Sequence, residues 1–181
     1  MPTHVALIRG INVGGKNPVP MARLREVLAA RGFDSVRTYI QSGNVVLSAP
    51  GHGEGDVTAV VEGALREDFG VDTMVVTVTA DALRTAVSQA PPGFGEAPDE
   101  YLYDVVFLRP HVSPTEVHPL VRLREEVDDC WAGARVLYFR RLEARRTASY
   151  LSKILALPAY KDMTIRNWRT TTTLLDMIDC S

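Results

Sequence analysis

A chain of 181 residues, 46% hydrophobic and with a formal net charge of -2 at pH 7, has enough apolar sequence for one core or for two small lobes. No run approaches the roughly 18 apolar residues of a membrane span, and the N-terminus lacks the basic-then-apolar pattern of a secretion signal, so the chain reads as soluble, with no membrane partner. Two cysteines, Cys130 and Cys180, are too few for a disulfide framework, and a reducing, cytoplasmic location is expected.

Residues 4 to 8 read as a buried strand that runs into the segment Arg9-Gly10-Ile11-Asn12-Val13-Gly14-Gly15-Lys16-Asn17. Met21, Leu24, Val27 and Leu28 recur at helical spacing, which predicts a helix from about Pro20 to Arg31. A left-handed cap is expected at Gly32, with Phe33 folding back on Leu28. Val36 to Gln41 and Asn44 to Leu47 are rich in Val, Ile, Tyr and Thr and read as a hairpin joined by the two-residue turn Ser42-Gly43. A second helix is expected from about Asp56 to Phe69, ended by Gly70. A strand over Thr73 to Val78 follows, and then a third helix, roughly 80 to 89, capped by the Thr79 hydroxyl. Strand, helix, two strands, helix, strand is the split βαβ, or ferredoxin-like, order with an added terminal helix.

Ala90 to Pro98 holds three prolines and two glycines, which marks residues 91–98 as a linker between an N-terminal lobe of residues 1–90 and a C-terminal lobe of residues 99–181. Beyond it, Leu102 to Leu108 reads as a strand and Pro114 to Val127 as a helix carrying Val117, Leu120, Val121 and Leu123. Val136 to Phe139 is a further strand, Ser149 to Leu157 a helix stopped by Pro158, Met163 to Ile165 a short strand, and Thr171 to Ile178 the last helix. The second half repeats the first in outline, although its hairpin is poorly marked. The expectation is an α+β fold of two ferredoxin-like lobes, a pseudo-duplication in which each lobe has an added terminal helix.

Three polar segments fall at loops or strand ends. In the first, glycines at 10, 14 and 15 permit positive φ and turn amides outward, while Arg9 and Lys16 place a positive charge at either end, with Asn12 between them. Gly10-x-x-x-x-Gly15-Lys16 satisfies seven positions of the phosphate-cradling P-loop. The eighth fails, because Asn17 stands where a hydroxyl would hold magnesium, and Pro18 and Pro20 delay the helix. No later strand ends in an aspartate to anchor that ion, so P-loop hydrolysis is not expected, and a turn needed only for packing is the alternative. The second segment, Tyr39-Ile40-Gln41-Ser42-Gly43-Asn44, offers Gln41, Ser42 and Asn44 either to a ligand or to the turn itself. In the third, Thr164-Ile165-Arg166-Asn167-Trp168-Arg169-Thr170, a Trp stands between two guanidinium groups and can stack a base, hold an anion or anchor a core at the lobe junction.

These three segments resemble the signatures of the bacterial domain-of-unknown-function family 1697: Arg9-Gly10-Ile11-Asn12-Val13-Gly14-Gly15, Tyr39-Ile40-Gln41-Ser42-Gly43-Asn44-Val45 and Thr164-Ile165-Arg166-Asn167-Trp168. The resemblance runs over nearly the whole chain and implies two ferredoxin-like halves. It implies no activity. The chain departs from the pattern at Asn167-Trp168-Arg169-Thr170, where the family usually has Asn-Trp-Asn-Thr, and at Arg140-Arg141-Leu142-Glu143, where the family usually has a Gly-bearing turn.

Charge is unevenly spread, with 11 basic and 18 acidic residues up to position 129 against 9 and 4 beyond it. A basic C-terminal third raises a phosphate-bearing ligand or nucleic acid there, against the plainer reading of a solvated face. His4, His52, His111 and His118 are scattered, so neither metal nor cofactor is expected. The leading expectation is a protein that binds a small anionic or nucleotide-like ligand in a cleft between the lobes, without chemistry of its own. Its contacts would come from Arg9, Asn12, Gly14, Gly15, Lys16, Gln41, Ser42, Asn44, Arg166, Asn167 and Trp168. An enzyme, a transferase or hydrolase, is the second class, but Ser42 lacks a histidine partner and Asp104 and Tyr39 are lone polar groups. Nucleic-acid binding through the basic third is the third class. Ligand identity, pathway and oligomeric state are not encoded in these motifs.

Overall fold

The computed structural model describes residues 3–180; residues 1, 2 and 181, at the ends of the two expected lobes, lie outside that range. The fold is mixed α+β, with two four-stranded antiparallel sheets. The chain divides into two compact units, Met1–Leu83 with Leu174–Ser181, and Arg84–Thr173. Segment 91–98 lies inside the second unit.

In the first unit, β1 (Thr3–Ile8), α1 (Met21–Ala30), β2 (Asp34–Tyr39), β3 (Asn44–Ser48), α2 (Glu54–Phe69) and β4 (Val75–Thr79) form a sheet of order β2-β3-β1-β4. Leu24, Val27 and Leu28 of α1 and Val57, Val61, Ala64 and Leu65 of α2 bury one face against Ala6, Ile8, Val45, Leu47 and Val75. Val5, Leu7, Val46 and Val76 are buried as well, so both faces of the central strands are covered. The helix ends follow the sequence signals. Gly32 has φ +96, and the Phe33 N–H reaches back to Leu28 O at 3.3 Å. Gly70 has φ +65, and the Val71 N–H reaches Leu65 O at 3.0 Å.

The hairpin differs from expectation. Tyr39 pairs with Asn44, so four residues, Ile40–Gly43, make the loop in place of the two-residue turn Ser42-Gly43. Ile40 adopts φ +48, a conformation that a β-branched side chain disfavours and that sequence patterning does not signal. The third helix, α3 (Ala80–Ser88), begins as expected, with the Thr79 hydroxyl accepting the Ala82 N–H at 3.1 Å.

In the second unit, β5 (Tyr101–Leu108), α4 (Pro114–Val117), β6 (Asp128–Ala132), β7 (Val136–Leu142) and β8 (Met163–Asn167) lead into α5 (Trp168–Asp179). Their sheet has the order β6-β7-β5-β8, the same order as in the first unit when each is counted from its own first strand. The helix expected over Pro114 to Val127 is cut to one turn, because Pro119 has no N–H and its ring opposes a continuing helix; a 3₁₀ turn, His118–Leu120, finishes it. The helix expected over Ser149 to Leu157 is a 3₁₀ turn, Leu151–Ala156. Lys153 N–H donates to Tyr150 O at 2.8 Å and Leu157 N–H to Ile154 O at 3.0 Å, and Pro158 forces Leu157 into extended backbone. Strand β6, Asp-Asp-Cys-Trp-Ala, has little β propensity and was not expected. Side chains hold it instead: Asp128 accepts from Ser149 Oγ (2.6 Å), Tyr150 N (2.8 Å) and Arg124 N (2.9 Å), and Asp129 pairs with Arg140.

Candidate functional site

The first two polar segments meet within the first unit. Gly14 and Gly15, at φ +57 and +73, form a two-residue turn closed by Lys16 N–H to Val13 O at 3.0 Å. A Cβ at either glycine would touch nothing within 4 Å, so these positions require glycine for conformation and not for close approach. The asparagines are occupied by the loop itself. Asn12 Nδ2 donates to Val19 O (2.8 Å) and Gln41 O (2.9 Å), its Oδ1 accepts from Val19 N (2.7 Å), and Asn17 Nδ2 donates to Gly10 O (2.9 Å). Asn44, fully buried, donates to Tyr39 O and Ser42 Oγ. Gly43 is fixed twice over, at φ +90 and with an added Cβ only 2.9 Å from Ile8 Cβ and from Ile8 O. Lys16 and Gln41 are exposed, Arg9 and Ser42 half-buried. Because α1 starts only at Met21, no helix N-terminus follows Lys16, and a phosphate cradle of the P-loop kind is not built here.

The third segment, in the second unit, lies on a groove of about 440 Å³ lined by Gly95, Pro98, Tyr101, Leu102, Tyr103, Asn167, Trp168, Arg169 and Thr172. Strand β8 delivers Asn167 to the start of α5, where its Oδ1 caps the helix by accepting the Thr170 N–H at 2.7 Å. The first turn of α5, with its partial positive charge, and the exposed Arg169 therefore share one edge of the groove. Trp168 is held by the 91–98 segment. A Cβ on Gly95, φ +87, would lie 2.2 Å from the Trp168 Nε1, so the indole packs directly on backbone there. Phe94, buried beside it, makes edge-to-face contacts with Trp168 (5.1 Å), Tyr103 (4.9 Å), Tyr138 (5.4 Å) and Trp131 (6.2 Å).

Arg166, two residues before Trp168, does not line the groove. Its guanidinium is buried and donates to Thr164 Oγ1 (2.9 Å) and Ile165 O (2.8 Å), and desolvation brings its pKa down to about 10. Asp104, the cross-strand partner of Asn167, is buried 3.4 Å from the Arg141 guanidinium. Burial raises its carboxyl above the ordinary range, against the opposing pull of Arg141. The residues that the sequence did not signal are Gly95, Tyr101 and Tyr103, which line the groove, and Phe94, buried against Trp168 and Tyr103. Their only signal was two aromatic residues next to a segment whose prolines and glycines read as a linker. Among the described residues, no group of His, Cys, Asp and Glu could hold a metal ion, and no helix is long and apolar enough to cross a membrane.

The model of the family described as "Protein of unknown function (DUF1697)" matches residues 1–138, and the chain belongs to that family. The match ends before the third signature segment. No curated protein matches the chain. A solved structure, that of the conserved bacterial protein SP0830 from Streptococcus pneumoniae, is similar over 97% of this chain and 98% of that one, with a TM-score of 0.83 and 24% identity. At that identity the likeness concerns the fold.

Proposed function

We propose that this member of the DUF1697 family binds a small anionic, nucleotide-like ligand in the groove of the second unit, as a binding protein without chemistry of its own. The observation that carries the reading is Trp168, an indole fixed by Gly95 and Phe94 beside the first turn of α5 and Arg169. A planar ring of the ligand stacks on the indole or on Tyr101, and its anionic group meets the helix terminus and the guanidinium. Of the loop residues in the first unit, Arg9, Lys16, Gln41, Ser42 and the Gly14 and Gly15 backbone remain candidates to meet a ligand, since Asn12 and Asn44 hold the loop together. In the same reading the chain is a duplication of two ferredoxin-like halves, residues 1–90 and 99–181, with segment 91–98 between them in sequence but packed within the second unit. The shared strand order supports this.

A thermal-shift titration with nucleoside 5′-monophosphates tests the reading, because a ligand that prefers the native state raises apparent stability by about 2.7 kcal/mol at a hundredfold excess over Kd. A rise in Tm that is lost in Arg169→Ala and kept in Lys16→Ala is expected. No rise with any nucleotide overturns the reading. Loss in Lys16→Ala with retention in Arg169→Ala would move the site to the glycine loop.

A further inference from the structure

Outside the groove, Tyr101 adjoins a second set of planar groups. The Arg140 guanidinium lies over the Tyr101 ring, 4.3 Å from its centroid, and 5.4 Å from the Trp131 ring. Asp129 fixes that guanidinium through Nε at 3.0 Å and Nη2 at 2.6 Å. Neighbouring strands produce this order: Asp129 of β6 stands opposite Arg140 of β7, which stands opposite Tyr103 of β5, with Trp131 and Tyr101 each two residues along its strand and so on the same face. Tyr101, Trp131 and Arg140 are all partly exposed. Planar groups thus continue from Trp168 through Tyr101 to Arg140 and Trp131, a longer run than one base can use.

Resting on the nucleotide reading of the groove, we infer that the ligand is single-stranded nucleic acid, with one nucleotide in the groove and its neighbour stacked on the Arg140–Trp131 platform. A guanidinium held in place by a carboxylate beside aromatic rings is a fixed planar group, and base stacking on such groups is tolerant of sequence. Asp129 offsets the charge of Arg140, so the platform contributes stacking more than phosphate attraction. Arg169 and the α5 terminus are left to meet the backbone, and the dependence on salt is shallow, with a log-log slope of about -1.

The chain has two tryptophans, Trp131 and Trp168, one at each end of this run, so intrinsic fluorescence of the full chain reads the experiment. Titrations with thymidine 5′-monophosphate and with oligothymidylates of two, three and eight nucleotides are compared at several salt concentrations. The second nucleotide is expected to tighten binding roughly tenfold, with little beyond the third. Arg140→Gln and Trp131→Leu, each checked for a native melting transition, are expected to lose that gain and keep the mononucleotide affinity. Equal affinity for monomer and dimer, or a gain that survives in Arg140→Gln, overturns the inference and leaves the groove reading intact. Absence of binding by monomer and oligomer alike overturns both.

Discussion

Replacing Gly95 by Ala puts a methyl group where the indole of Trp168 already lies. The added Cβ would sit 2.2 Å from Nε1, 2.5 Å from Cδ1 and 3.1 Å from Cε2, so the ring must retreat by more than about 1 Å to reach ordinary contact. Gly93→Ala is the matched control: it has nearly the same backbone, φ +79 against +87, and nothing within 4 Å. Both substitutions cost about 1–2 kcal/mol for a left-handed residue with a side chain. Gly95→Ala adds an overpacking cost of about 1–3 kcal/mol. For a chain of this length each kcal/mol lowers Tm by about 2–4 °C, so Gly95→Ala is expected to melt about 2–12 °C below Gly93→Ala. Circular dichroism gives the melting temperatures, and Trp emission reports the displaced indole, red-shifted in Gly95→Ala alone. Equal destabilisation by the two variants, with unchanged emission, would refute the idea that the 91–98 segment holds Trp168 in place.

Asn12→Ala removes two donated bonds and one accepted bond that tie the glycine loop to Val19 and Gln41. At about 1 kcal/mol each it is expected to destabilise the protein by about 2–3 kcal/mol in a urea melt; a cost under half a kcal/mol would mean the asparagine is free for other work. Asp104→Asn tests the buried carboxyl. Its folded pKa is raised above the ordinary 3.8 by burial, so its contribution to stability is full below the unfolded pKa and is lost as pH rises through the folded one. The Asn variant does not titrate, and its Tm relative to wild type is expected to climb between pH 4 and pH 7. A difference that is flat or falls would mean that the Arg141 pair outweighs desolvation.

Local chemistry made the first unit legible. Gly32 and Gly70 end helices where their left-handed caps predict, Thr79 caps α3, and short runs rich in Val, with Leu and Ile, mark the buried strands β1, β3 and β4. Legibility fell wherever long-range contacts decide. Strand β6 has a sequence that favours no strand and is held by Asp128 and Asp129 through partners far along the chain. Pro119 cut one apolar helical period to a single turn, an effect visible only once the proline is weighed against the residues before it, while Leu151–Ala156 folded as 3₁₀ despite its helical period and its stop at Pro158. At the candidate site, Trp168 and Asn167 were readable because they adjoin a helix start. Phe94 and Gly95 were not: composition marks their segment as a linker, and only the Phe94 contacts with four rings reveal it as a wall. The side chains of Asn12 and Asn44, read as ligand contacts, hydrogen-bond to their own loop and hairpin.

The most direct measurement is amide chemical-shift mapping of the full chain titrated with the thymidine dinucleotide. Saturable shifts centred on Gly95, Tyr101, Trp168, Arg169 and Thr172, extending to Trp131 and Arg140, are expected. Shifts centred on Gly14 to Lys16, or none at saturating dinucleotide, would contradict this placement of the ligand.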